Sequence, residues 1–107
     1  MNAEGLKAVL NGAQLTLVDE SVVEQFYFSG EGDSVAATLG LRDGAVCGPV
    51  LRYRVTDDGA VELGDGGVFH FRWEEAEYAN GILNVVSDGR AKRFQVVLSK
   101  KRERYLP

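Results

Sequence analysis

At 107 residues, 45% of them apolar and 26% charged, the chain has the length and composition of one domain with a single modest core. A formal net charge of −4 and a pI near 4.9 weigh against a general affinity for nucleic acid or other polyanions. A lone cysteine, Cys47, excludes an intrachain disulfide, and no apolar run approaches the roughly 18 residues of a membrane-crossing helix.

The chain opens on "MNAEGLKAVLNGAQL". Leu6, Val9 and Leu10 recur at helical spacing, Asn2 is placed to cap, and Gly12 suits the position just past a helix end. A short helix within residues 1–12 is therefore expected. No basic segment precedes a continuous apolar stretch, so a signal peptide is not expected, and with Cys47 unpaired a cytoplasmic protein is.

After Gly12 the chain changes character. "GEGD" (30–33), "RDG" (42–44), "DDG" (57–59), "GDGG" (64–67), "ANG" (79–81) and "SDG" (87–89) set Gly beside Asp, Asn or Glu, the chemistry of tight hairpin turns. Segments rich in Val, Leu, Phe and Tyr lie between them. Strands are expected near 13–18, 22–29, 34–41, 45–56 (broken at Gly48–Pro49), 60–63, 68–78, 82–87 and 90–99.

Alternation assigns faces. Leu51, Tyr53 and Val55 oppose Arg52 and Arg54; Phe69, Phe71 and Trp73 oppose His70, Arg72 and Glu74; Phe94, Val96 and Leu98 oppose Arg93, Gln95 and Val97. Continued alternation would also turn Glu75 and Glu77 toward the apolar face, so either that strand ends before them or a bulge re-aims them. One apolar face on eight or nine short strands can be buried by closing the sheet into a barrel or by folding it into two packed layers, and the nearly uniform hairpin spacing, with no long crossover, favours the barrel. The expected fold is all-β: an antiparallel up-and-down meander forming a closed or half-open barrel, in one domain over 1–107.

With its short N-terminal helix and strings such as "LRYRVTDDGAVEL" and "YANGILNVVSDGRAKRFQV", the chain resembles small bacterial lipocalin-like (calycin-like) β-barrel proteins of unknown function. That resemblance implies a barrel enclosing a small apolar ligand, and it carries over no binding residue.

Catalytic and metal chemistry find little footing. His70 is the only histidine and reads as a solvent-facing strand residue, while "GDGG" leads into a strand rather than into the helix that a phosphate loop requires. One His and one Cys cannot build a zinc site, so neither metal nor cofactor is expected. The candidate ligand-binding residues are Tyr53, Phe69, Phe71, Trp73 and Phe94 from the apolar face, and Arg52, Arg54, His70 and Arg72 from the opposite one. The arginines are expected to point outward and pair with acids.

The final 18 residues hold seven Lys or Arg and one acid, against five and fifteen in residues 1–89. The basic end, 100–107, reads as the charged finish of an edge strand. The expected function is non-enzymatic binding of a small, partly apolar or amphiphilic ligand in the barrel interior. The alternative is an interaction or structural module, a homodimer or the partner of another protein, acting through its surface and basic end. An enzyme built on His70 with Arg52, Arg54 or Arg72 is the third class weighed.

Overall fold

In the computed structural model, which describes residues 1–19 and 21–98, the chain begins with the expected helix. The Asn2 side chain accepts from the Gly5 N–H at 2.8 Å and so satisfies one of the donors that a helix start leaves free. Helix α1 (Ala3–Leu10) ends at Asn11, and Gly12 follows at φ 71°, the left-handed conformation that favours glycine just past a cap. Leu6 and Leu10, one turn apart on the same face, are fully buried.

Among the described residues nine strands follow: β1 (Gln14–Leu17), β2 (Val22–Phe28), β3 (Ser34–Leu41), β4 (Val46–Cys47), β5 (Val50–Val55), β6 (Val61–Gly64), β7 (His70–Ala79), β8 (Ile82–Ser87) and β9 (Arg90–Val97). Every pairing between them is antiparallel. Asn80–Gly81 and Asp88–Gly89 have positive φ at both central residues, the geometry whose twist matches that of the strands it joins.

The sheet closes on itself. β1 pairs with both β2 and β9, and β2 with β3, so the order β1–β2–β3–β5–β6–β7–β8–β9 returns to its start. β4 and β5 act as one strand interrupted at Gly48–Pro49, because β3 keeps a single register from Gly40↔Val46 to Ser34↔Arg52. The fold is thus an eight-stranded closed antiparallel meander with a short N-terminal helix, the architecture of the calycin class in general terms.

A bulge settles the fate of the acids in β7. The β7–β8 register shifts between Trp73 and Glu75, which makes Glu74 the extra residue. Trp73 and Ala76 therefore both face the core, while Glu74, Glu75 and Glu77 are exposed. The barrel's two ends differ. α1 covers the one where β1 begins and β7 ends, and the Met1 amino group bonds Glu77 there. At the other end, called the mouth below, β1 and β8 finish and β2 and β9 start. No helix among the described residues is long and apolar enough to cross a membrane. The basic end, 100–107, lies outside the described residues.

Candidate functional site

The aromatic candidates lie inside the barrel. Phe26 stands at the centre of the cluster, its ring 5.9 Å from Phe71, 5.5 Å from Trp73 and 5.8 Å from Phe94, all edge to face. Phe28 meets Tyr53 at 4.8 Å in the same manner. Trp73 and Phe94 have no solvent exposure, while Tyr53, Phe69 and Phe71 are half-buried against the core. The rings of Tyr53, Phe71, Trp73 and Phe94 pack with Phe26 and Phe28, and Phe69 lies against the same core. Trp73 also buries its indole Nε1–H, which finds no acceptor among the described residues.

The cationic candidates lie outside. Registered pairs line up Arg54, Glu62 and Arg72 across three strands, and the Glu62 carboxylate takes both guanidinium groups at 2.6 Å. The hydrogen bond from Arg54 is the main cause holding that carboxyl below its ordinary value. Arg52 pairs with Asp33 at 3.1 Å, and the side chains of Arg52 and Arg54 are 78% and 74% exposed. His70 is exposed as well. Gly64, registered between Arg52 and His70, has no side chain to fill the wall there. A shallow cleft of about 250 Å³ results, gathering Arg52, Tyr53, Arg54 and His70 with Asp33 and Glu62. Its cations already have acid partners.

The mouth holds a constellation that alternation alone had not singled out. Glu24 shares the inward face of β2 with Phe26 and Phe28, and Lys92 shares that of β9 with Phe94 and Val96. Across the end of short β1 the Lys92 ammonium reaches both carboxylate oxygens of Glu24, at 3.1 Å each. This pair is sheltered: the Glu24 side chain is 11% exposed and that of Lys92 26%. Two clefts share Arg90 and Lys92. One, of about 560 Å³, runs past Leu17, Val22 and Glu24. The other, of about 450 Å³, is bordered by His70, Phe71, Ser87 and Asp88.

Three details give the mouth its chemistry. Ser87 is 6% exposed and faces inward with Leu83 and Val85. Arg90 makes no ion pair among the described residues. The Asp19 carboxylate accepts from the Ser21 N–H and Oγ–H at 2.7 and 2.8 Å, which lowers its pKa and ties these two residues together beside the cleft. Arg42 donates to the Asp19 carbonyl. The result is an apolar floor with a hydroxyl and two cations above it, Lys92 paired with Glu24 and Arg90 in no ion pair among the described residues. The signal for Lys92 was present in the sequence, since "KRFQV" continues the Phe94–Val96 face back to residue 92.

Among the described residues no group of three or more His, Cys, Asp or Glu stands close enough to hold a metal ion, and Cys47 is free and exposed. No protein-family model matches the chain, nor does any curated protein or solved structure.

Proposed function

We propose that this is a non-enzymatic barrel that binds a small, partly apolar ligand carrying an anionic group, and that it does so at the mouth opposite α1. The observation that carries this reading is the Glu24–Lys92 pair turned inward above the aromatic core. A barrel of this size gains little stability from such a pair, because removing two charges from water offsets most of their attraction. Two apolar side chains would close the mouth as well.

What the pair does supply is a sheltered ammonium beside the Arg90 guanidinium, which makes no ion pair among the described residues, at the junction of two clefts. Arg90 and Lys92 would hold a carboxylate or phosphate, with the Ser87 hydroxyl as a further donor. The ligand's apolar part would lie on Leu17, Val22 and Phe71, so the site is polar at its rim and apolar at its floor, as small-ligand sites commonly are. The resemblance to calycin-like barrels supports the container role, and the unpaired Cys47 supports a reducing compartment such as the cytoplasm.

The test is calorimetric titration with decanoate and with decanol, which share a chain and differ in the head group. The expected result is measurable decanoate binding that Lys92→Met weakens at least tenfold. If the folded barrel takes up neither compound, the mouth is not a site for this class of ligand.

A further inference from the structure

Among the described residues, β4 and the start of β5 have a neighbour on one side only. β3 pairs with them from Gly40↔Val46 to Ser34↔Arg52, whereas β6 reaches back only as far as Arg52↔Gly64. Residues 46–51 thus run past the end of β6 as a free edge, with a cleft of about 430 Å³ beside Val50, Leu51 and Gly64. The ladder shows where their backbone groups point. Ala37 donates to the Pro49 carbonyl and Tyr53 to that of Asp33, so odd-numbered residues of this strand bond toward β3. The N–H and C=O groups of Val46, Gly48 and Val50 consequently face outward. Pro49 lacks its donor on the β3 side, where it does nothing to block the open edge.

From this geometry we infer that two copies of the chain pair edge to edge, antiparallel, about a two-fold axis at Gly48. The segment "AVCGPVL" is self-complementary in that arrangement. Val46 of one copy stands opposite Val50 of the other, Gly48 opposite Gly48, and about six main-chain hydrogen bonds form. Both valines are unusually exposed for strand residues, at 55% and 69%, and they share the outer face. Edge strands are normally guarded by charge or by a proline turned outward, and 45–51 has neither. The occupant follows from charge. A second copy of a net-negative chain is repelled wherever acids would meet, and the outer rows leading to this edge are neutral. One runs Val97, Gln14, Tyr27, Ala36, Val50, and another Val23, Gly40, Val46. Such symmetric pairing needs only this one patch.

Sedimentation equilibrium of the full chain tests the pairing, with thermal unfolding of each variant as the check on folding. Wild type is expected to form a concentration-dependent dimer, which Val46→Lys with Val50→Lys weakens at least tenfold, while Val68→Lys at a 90% exposed loop position leaves it intact. Combining Val46→Lys with Val50→Glu should restore association, because the new Lys and Glu face each other only between copies in this register. A wild type that stays monomeric into the millimolar range overturns the inference. So does a dimer indifferent to the two lysines, or one that the Lys/Glu combination fails to restore. A monomer whose Val46, Gly48 and Val50 amides exchange slowly would also overturn it, by showing that another part of the chain covers the edge.

Discussion

Lys92 and Glu24 matter to each other because neither has water enough to stand alone. Lys92→Met leaves the Glu24 carboxylate facing Phe26 with little solvent and without the ammonium bonded to it, and should destabilise the barrel by about 1–3 kcal/mol. Adding Glu24→Gln should recover most of that loss, since a neutral amide is far less costly to shelter. Urea unfolding of the single and double variants reads both values. A double variant no more stable than the single would mean that the pair's packing, not its charge, supports the mouth. Trp73 poses the opposite case. Its ring is fully buried against Phe26, Phe28 and Phe94, so Trp73→Ala should cost about 3–5 kcal/mol. Trp73→Phe should cost much less than its lost volume implies, because it also removes a buried N–H that lacks an acceptor among the described residues.

Among the elements, β6 shows how the outer wall is tied. Glu62 is bonded by Arg54 from β5 and Arg72 from β7, with its carboxyl held below the ordinary value of 4.5. A group depressed in the folded state adds stability above its unfolded pKa and loses it as pH falls through the folded one. The acid limb of the stability curve should therefore fall below pH 4.5, and Glu62→Gln should make it shallower, as thermal unfolding across that range would show. Much of this level was legible beforehand. "ANG" and "SDG" gave the two tightest hairpins because few residues tolerate positive φ, and Gly48–Pro49 marked the break between β4 and β5. The β7 bulge was foreseeable as a conflict, since plain alternation would have buried Glu75 and Glu77. Its position at Glu74 was not, because bulge placement depends on the pairing partner. The mouth was missed for a related reason. Glu24 and Lys92 lie 68 residues apart and look like ordinary surface charges until barrel closure brings β2 and β9 to either side of β1.

For the molecule as a whole, closure gives the barrel two unlike ends, and on the proposed reading these separate stability from binding. At one, Leu6 and Leu10 of α1 are fully buried and complete the core from outside the sheet. At the other, Phe71 borders the same cleft as Lys92, Ser87 and Arg90, and on the proposed reading the polar groups there add more to recognition than to the fold. Rigid strands carry the site, so damage at the helix end lowers the fraction folded without reshaping the mouth. Leu10→Ala should accordingly cost about 2–5 kcal/mol of stability, the usual range for a buried leucine, yet leave the affinity for decanoate within a factor of two once corrected for unfolded protein. Arg90→Gln should do the reverse, weakening decanoate strongly with little effect on unfolding, because that exposed side chain has no partner among the described residues to lose. Calorimetry and urea unfolding on the same two variants give the comparison. If Leu10→Ala instead abolishes binding in protein that is still folded, the ligand passes through the core to the helix end, and the site would have to be sought between α1 and the rings beneath it.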